Sequence, residues 1–306
     1  MNNKIVLIGC GNVGIAYAYA LVNQHTYVSE LVMIDINTEK TIGEVMDLNH
    51  CLAYSPSKIK IRMGDYSDCK DARIVVIAAG VNQRPGETRM DIIDKNASIF
   101  KSIIENVNKY NFNGIYLIAT NPLDVMTYLT LKYSGVSPKR VIGTGAVLDT
   151  ARLRYLLSEE LNMCPKDIDA YVIGEHGDSS FIPWSNANVA FKKIKDYLNE
   201  EKLSIIENEV KNSAYEVIKR KGSTSYGIGA CMVRITNAIL EDKRIILPVS
   251  SYDKKRDVCI SLPVVVGRRG VSDKIDLPLT GEEKNKLDES IKVIKDAISK
   301  VLDKKG

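Results

Sequence analysis

The segment 172–178, Val-Ile-Gly-Glu-His-Gly-Asp, carries one of the three histidines of the chain. An imidazole ordinarily titrates near neutrality, so His176 can donate or accept a proton at the pH of a cell. Gly174 and Gly177 allow the backbone around it to turn sharply and to approach a ligand. A histidine in such a loop is more often a surface residue, and only partners elsewhere in the chain favour acid–base chemistry.

Three charged residues would complete a site that reduces a carbonyl group with a hydride carrier. Asp149 could orient the imidazole and stabilise its protonated form. Arg152 lies three residues later in the same predicted helix, on the same face, and its planar guanidinium suits bidentate capture of a carboxylate. Arg89 ends a loop with Pro and Gly that could close over a substrate. Each has a commoner structural role when taken singly, but the set predicts an active site.

A glycine-rich turn follows the short apolar strand predicted for residues 4–8. Gly9, Gly11 and Gly14 have the Gly-x-Gly-x-x-Gly spacing, a predicted helix follows, and the next predicted strand ends at Asp35. The glycines permit a tight turn, close approach of backbone N–H groups to a pyrophosphate, and close helix packing, while the helix N-terminus favours phosphate. Asp35 could accept hydrogen bonds from a ribose and would repel a 2′-phosphate, which favours NAD over NADP.

Strands and helices alternate through the first half of the chain, which predicts an α/β fold with a Rossmann-type, doubly wound parallel sheet. The predicted strands are 4–8, 30–35, 59–63, 74–79, 115–119 and 141–143, and the predicted helices are 15–22, 39–49 and 91–110. Ligands of such sheets bind outside the carboxyl ends of the strands.

The pattern changes near Leu148, where long helical segments begin to dominate. The predicted helices are 149–161, 204–221, 228–240 and a C-terminal helix with a capping box at Thr280 and Glu283; strands are predicted at 244–249 and 259–266. We therefore predict a NAD-binding domain at residues 1–147 and a mixed α+β substrate domain at 148–306.

Composition excludes several other classes. The 306 residues carry a net charge of only +4, and the charges are interspersed, which argues against nucleic acid. No segment is apolar enough to predict a membrane span. The six cysteines form no Cys-x-x-Cys pair, which argues against a zinc site. Scattered thiols of this kind are typical of a reducing compartment, so we expect the cytoplasm.

Taken together, the motifs resemble those of the lactate/malate dehydrogenase family, in the family's order and over most of the chain. The matching segments are Gly9–Gly14, Asp35, Gly80–Arg89, Ala119–Asp124, Gly143–Gly145, Leu148–Arg152, Gly174–Asp178 and Lys221–Thr224.

The resemblance implies a role for each matching residue. His176 would be the acid–base group paired with Asp149, Arg152 would bind the substrate carboxylate, Arg89 would polarise the carbonyl on loop closure, and Asn121 would lie near the substrate oxygen and the nicotinamide. The implied NAD contacts are Gly9, Gly11, Asn12, Val13, Gly14, Asp35, Lys40, Tyr66, Gly80, Val81, Asn121 and Thr144.

The substrate side chain is read, in this family, two residues before the loop proline, here Pro85. Gln83 at that position resembles the lactate enzymes, whereas malate enzymes carry arginine; Arg84 lies one residue too late. Glu87 adds a negative charge that disfavours a dianionic substrate, and Thr224 matches a small wall residue of lactate-specific members. Pyruvate and L-lactate are therefore the expected pair, interconverted with NADH while the histidine supplies the proton.

The resemblance also bears on assembly and regulation. It implies a homotetramer. Many bacterial members bind fructose 1,6-bisphosphate through an arginine and a histidine; Arg154 matches the former, but Asp169 stands at the histidine position. An acid repels a bisphosphate, so activation by this effector is doubtful.

Two other functions stay open at this stage. One is a related 2-hydroxy-acid dehydrogenase for malate or for branched-chain 2-oxo acids. The other is a catalytically silent NAD-binding protein, which would be expected to lack at least one member of the predicted catalytic set. All four members, His176, Asp149, Arg152 and Arg89, are present.

Overall fold

The computed structural model describes residues 3–81 and 89–302, apart from the side chains of residues 89–91 and 273. Its first half alternates between strands and helices. The strands are β1 (Lys4–Ile8), β2 (Glu30–Ile34), β3 (Lys60–Met63), β4 (Ile74–Ile77), β5 (Ile115–Ile118) and β6 (Val141–Gly143). The helices are α1 (Asn12–Val22), α2 (Thr38–Cys51), α3 (Arg89–Asn108) and α4 (Leu123–Ser134).

The second half contains longer helices and short strands. The helices are α5 (Val147–Leu161), α6 (Glu200–Lys221), α7 (Tyr226–Leu240) and α8 (Gly281–Leu302). The strands are β7 (Ile168–Asp169), β8 (Asn188–Val189), β9 (Lys192–Lys193), β10 (Ile245–Leu247), β11 (Ser250–Asp253), β12 (Val258–Ser261), β13 (Val264–Gly267) and β14 (Gly270–Lys274).

A central sheet of eight strands has the order β12-β11-β6-β5-β4-β1-β2-β3. Strands β1 to β6 pair in parallel, and β1, β4 and β5 are buried along their whole length, as expected for apolar strands covered on both faces. Because β2 and β4 lie on opposite sides of β1 in the sheet, the loops after β1 and β4 meet at its carboxyl edge. The predicted Rossmann-type fold with a C-terminal α/β region is confirmed.

Two strands of the second half extend this sheet. Strand β11 is antiparallel to β6 through Ser250 and Gly143, and β12 is antiparallel to β11. Helices α1 and α7 pack together on one side of the sheet, and α4 packs on α3 and α8 on the other. The two predicted domains thus share one sheet. The boundary between residues 147 and 148, which would separate the NAD-binding part from the substrate part, stays a prediction.

One predicted strand, 259–266, is wrong as a single element. Its first part is β12 of the central sheet, whereas its second part is β13 of a separate three-stranded sheet. The chain changes sheets at Pro263, which has no N–H group to continue a ladder.

Helix α4 was not among the predicted elements, although both of its ends carry local signals. Pro122 precedes its first turn, and Gly135 ends it in the left-handed conformation, with φ of 65°, as is common at helix C-termini. The predicted capping box of α8 is confirmed: the N–H of Thr280 donates to Glu283, and that of Glu283 donates to the Thr280 hydroxyl. Among the described helices, none has the length and apolar character needed to cross a membrane.

Candidate active site

One buried carboxylate holds the predicted proton donor and the predicted substrate anchor together. Asp149 Oδ2 lies 2.8 Å from Nδ1 of His176, and Oδ1 accepts a hydrogen bond of 2.7 Å from Nη1 of Arg152. Asp149 and Arg152 lie one turn apart on α5, so the helix sets their spacing. His176 arrives from a loop 27 residues later in the chain. The structure therefore brings together three residues that the sequence indicates separately.

Hydrogen bonding fixes the chemistry of the His176 ring. A carboxylate oxygen only accepts, so Nδ1 carries the proton directed at Asp149. Among the described residues, none forms a hydrogen bond with Nε2, and 24% of the side-chain surface is exposed. The proton that can be exchanged with a substrate is therefore the one on Nε2.

The charges of this group favour the protonated imidazole. Burial by itself disfavours the charged ring, but the negative charge and hydrogen bond of Asp149 outweigh it, and the pKa of His176 is raised above its ordinary value. Burial likewise opposes ionisation of Asp149, but His176 and Arg152 together hold the pKa of this carboxyl below its usual range. The stable arrangement at neutral pH is thus an ionised Asp149 beside a ring that protonates readily.

The loop that carries His176 is tied to the edge of the central sheet. Gly174 and Ser261 of β12 exchange two backbone hydrogen bonds, of 3.0 and 3.1 Å, and Ile173 pairs with Phe181 in the same way. Gly174 has a φ of 100°, which favours glycine because it has no Cβ. The loop that carries His176 is therefore a turn held against the sheet by backbone hydrogen bonds.

The glycine-rich turn has the geometry that a dinucleotide requires. Gly9 has a φ of 102°, and a Cβ there would come within 2.4 Å of the backbone of Ala79 after β4; a Cβ on Gly14 would lie 2.0 Å from the carbonyl oxygen of Gly9. A Cβ on Gly11, by contrast, would meet no atom within 4 Å. The first and third glycines are needed for packing, and the second leaves the helix N-terminus open to a phosphate. No acidic side chain occupies the first turn of α1, so these residues fit NAD.

Asp35 follows β2 and is anchored towards the same turn. Its two carboxylate oxygens accept the N–H groups of Cys10, at 2.6 Å, and Asn37, at 2.9 Å. Lys40 closes the other side by donating from Nζ to the carbonyl oxygen of Cys10, at 2.6 Å. Asp35 keeps lone pairs that could accept from the hydroxyls of a ribose.

The other predicted cofactor residues lie on loops at the same edge of the sheet, with Tyr66 half-buried after β3. Asn96 of α3 links two of these loops: it accepts from the N–H of Val81 and donates to the carbonyl oxygen of Asn121, both at 2.9 Å. Asn12 donates to Ser223 between α6 and α7, at 3.2 Å. The described positions of the remaining predicted contacts are Val13 at the start of α1, Gly80 after β4 and Thr144, buried, after β6.

Several predicted substrate residues lie outside the part of the chain that the structure describes. Gln83, Arg84, Pro85 and Glu87 lie outside the described residues, and so does the side chain of Arg89, the first residue of α3. Thr224 is half-buried between α6 and α7, and its side chain forms no hydrogen bond with His176, Asp149 or Arg152.

Asp124 lies beside His176, although the sequence analysis gave it no role. It is the last residue of the matching segment Ala119–Asp124. It lies in the first turn of α4, and its Oδ2 accepts the backbone N–H of His176 at 2.7 Å. The available signal was an acid directly after Asn-Pro-Leu in an otherwise apolar segment. That signal does not identify a partner 52 residues away.

The chain belongs to the lactate/malate dehydrogenase family. The model for the family's NAD-binding domain matches residues 3–143, and that for its alpha/beta C-terminal domain matches residues 146–305. The chain therefore contains the NAD-binding domain that the glycine-rich turn predicts.

Individual relatives narrow the comparison to one branch of this family. The chain is 49% identical to an L-lactate dehydrogenase of Halalkalibacterium halodurans, over 96% of each chain. Among solved structures, it resembles a lactate dehydrogenase from a deep-sea metagenome library of the Medee basin, with a TM-score of 0.96, 46% identity and coverage of 98% of this chain and 99% of the other. It also resembles the minor L-lactate dehydrogenase of Enterococcus mundtii in its ligands-bound form, with a TM-score of 0.96, 40% identity and 98% coverage of both chains.

Proposed function

We infer that this chain is an NAD-dependent oxidoreductase that interconverts pyruvate and L-lactate. Relatives that are described as L-lactate dehydrogenases match nearly the whole chain. The observation that carries the chemistry is the single carboxylate of Asp149, which binds both His176 and Arg152. An acid–base group and a carboxylate-binding cation are thereby held within the width of one carboxylate, as the reduction of a 2-oxo acid requires.

The roles of the residues follow from this arrangement. Arg152 binds the carboxylate of pyruvate through the guanidinium donors that Asp149 leaves free. His176 donates the proton on Nε2 to the carbonyl oxygen, and Asp149 stabilises the imidazolium before transfer. Arg89 polarises the carbonyl, and Asn121 contacts the substrate oxygen. Bound NADH supplies the hydride.

The cofactor is held, in this proposal, by the first part of the chain. Gly9, Gly11, Asn12, Val13 and Gly14 surround the pyrophosphate, and Asp35 accepts from the adenosine ribose. The remaining proposed contacts are Lys40, Tyr66, Gly80, Val81, Asn121 and Thr144. Residues 1–147 would thus bind the nucleotide, and residues 148–306 would supply the histidine and the substrate anchor.

Initial rates of NADH oxidation with pyruvate, oxaloacetate and branched-chain 2-oxo acids test the substrate. Pyruvate is expected to give the largest kcat/KM. A larger value with oxaloacetate would identify a malate dehydrogenase. A larger value with a branched-chain 2-oxo acid would identify a dehydrogenase with a larger substrate pocket. No oxidation with any of them, despite NADH binding, would identify a catalytically silent NAD-binding protein.

Gln83→Arg is expected to move the substrate preference towards oxaloacetate. An arginine at this position pairs with the second carboxylate of oxaloacetate and leaves pyruvate facing an unpaired cation. Leaving one partner of a buried charge pair unpaired costs about 2–5 kcal/mol, so the kcat/KM ratio of oxaloacetate to pyruvate should rise on the order of 10²-fold. Steady-state kinetics measure this ratio. Arg84→Gln is the matched control, since a preference that responds to residue 84 and not to residue 83 would show that the reading position lies one residue later.

Fructose 1,6-bisphosphate is not expected to lower the KM for pyruvate. Asp169 is exposed on β7, while Arg154 already donates from Nε to the carbonyl oxygen of Ala170, at 3.1 Å, and lies over the ring of Tyr171. A carboxylate in place of an imidazole repels the bisphosphate. Pyruvate saturation curves with and without the effector check this, with Asp169→His as the variant that should gain a response. A fall in KM of about fivefold or more in the unsubstituted enzyme, the usual size of an allosteric effect, would refute it.

Assembly and location complete the proposal. We propose a homotetramer, as the family resemblance implies, and sedimentation equilibrium of the purified enzyme tests it, since a stable monomer or dimer would contradict it. A cytoplasmic location is supported by six cysteines, all of them free thiols in the structure.

A further inference from the structure

A second buried carboxylate contacts the segment that carries the histidine. Asp124 is only 3% exposed. Its Oδ2 accepts the backbone N–H of His176 at 2.7 Å, and its Oδ1 accepts the hydroxyl of Ser250 on β11 at 2.5 Å. Three separate parts of the fold, α4, strand β11 of the central sheet and the loop that carries His176, therefore meet at one carboxylate.

The charge of Asp124 is not balanced by a salt bridge within the described residues. Within the described part of the chain, no lysine or arginine forms a salt bridge with this carboxylate, and its hydrogen-bond donors are a neutral hydroxyl and a backbone amide. Burying an unpaired carboxylate costs free energy, and burial raises the pKa of Asp124 to about 6. At neutral pH and above the group is nevertheless ionised, and the cation whose charge acts on it is the imidazolium of His176.

We propose that Asp124 is a positioning residue for His176: it holds the main chain of the histidine while Asp149 holds the ring, and it adds a second negative charge that favours the protonated imidazole. This inference rests on the proposed role of His176 as proton donor. It assigns the two carboxylates different tasks, since Asp149 fixes the orientation of the ring and Asp124 fixes the place of the residue in its loop.

Other charged groups near the histidine set the background for this effect. Asp149 and Arg152 face it from α5, and Glu175 precedes it in the loop. Cys231 of α7 lies near Asp149 and Arg152 and close to Arg234, while Cys259 of β12 lies near Asp124. Burial holds the pKa of both thiols above the ordinary value, so they stay neutral over the pH range of the test.

Asp124→Asn removes the charge and conserves the shape. The amide oxygen can still accept from the N–H of His176, and the amide nitrogen can donate to the hydroxyl of Ser250. The pKa of His176 in the purified enzyme, followed by NMR of the imidazole carbons, should fall by about one unit. The three imidazole signals are assigned with His25→Gln and His50→Gln.

Asp124→Asn should lower activity at high pH without lowering stability. The alkaline limb of kcat/KM for pyruvate reduction should move to lower pH with the histidine, which is a loss of about tenfold at a pH above both pKa values and little loss near pH 6. The melting temperature should be unchanged or higher, because the variant no longer buries a charge.

Glu283→Gln serves as the matched control, because it neutralises a different buried carboxylate, bonded to Ser185. It should not move the His176 titration. A lower melting temperature for Asp124→Asn with an unshifted His176 titration would overturn the proposal and leave Asp124 as a structural residue. His176→Gln separates the proposed proton donor from the proposed role of Asp124. If His176→Gln stays active, His176 is not the proton donor. If His176→Gln is inactive and the pKa of His176 is unchanged in Asp124→Asn, only the role of Asp124 is wrong.

Discussion

His176→Gln is expected to lower kcat for pyruvate reduction on the order of 10³-fold, the usual contribution of a positioned proton donor. Glutamine can still donate a hydrogen bond to Asp149, but it has no proton to transfer near neutral pH. The substrate anchor Arg152 keeps its contact with Asp149, so the KM for pyruvate should change far less than kcat. Stopped-flow measurement of NADH oxidation, at saturating pyruvate, isolates this loss from product release.

The other histidines provide the control for this variant. His25 lies between α1 and β2, His50 lies near the end of α2, and both are exposed. His25→Gln and His50→Gln should each retain ordinary kcat. NADH binding, followed by the quenching of the single tryptophan, should be preserved in all three variants. Activity of His176→Gln within about tenfold of the parent enzyme would contradict the assignment. A loss of that size is smaller than the smallest effect expected of a general acid.

Asp149→Asn is the second change with a large expected effect, a loss in kcat/KM on the order of 10²- to 10⁴-fold. The amide cannot stabilise an imidazolium, so the pKa of His176 should fall and the alkaline limb of pyruvate reduction should move to lower pH. The change also removes the charge that Arg152 contacts at 2.7 Å, which should disturb the substrate anchor. Both kcat and KM should therefore change, unlike in His176→Gln. Steady-state kinetics as a function of pH resolve these parts.

Asp178→Asn tests whether proximity of a carboxylate is sufficient. Asp178 lies two residues after His176 in the same loop but is exposed and accepts from the hydroxyl of Tyr215, at 3.0 Å. Its loss should leave the pH profile in place. If Asp178→Asn and Asp149→Asn had similar effects, the specific pairing of Asp149 with the ring would not be what supports catalysis.

Local patterns in the sequence predicted the parts of the site that depend on local geometry. The spacing of the three glycines in the cofactor turn already indicates why each position lacks a side chain. The structure gives the same reasons as distances from a Cβ placed at each glycine to its neighbours. The contact between Asp149 and Arg152 follows from a separation of one helical turn. The partnership of His176 with Asp149 was proposed from the chemistry of the two residues and supported by the family resemblance, but their contact depends on the fold, because they lie on separate elements.

The features that the sequence analysis missed depend on the order of strands in the sheet. Ser250 lies 126 residues from Asp124, and the two meet because β11 pairs with β6 at the carboxyl edge. Asn96 joins the loops of Val81 and Asn121 for a similar reason. The mistaken strand at 259–266 has the same origin, since an apolar run does not reveal that its two halves belong to different sheets.

The pH dependence of the two reaction directions tests the central claim most directly. If His176 is the acid in one direction and the base in the other, kcat/KM for pyruvate must fall as the ring deprotonates, and kcat/KM for L-lactate must rise. Because Asp149 raises the pKa of His176, both changes should be centred above the ordinary value for histidine, and both should disappear in His176→Gln. Profiles that move in the same direction, or that persist in His176→Gln, would contradict the account.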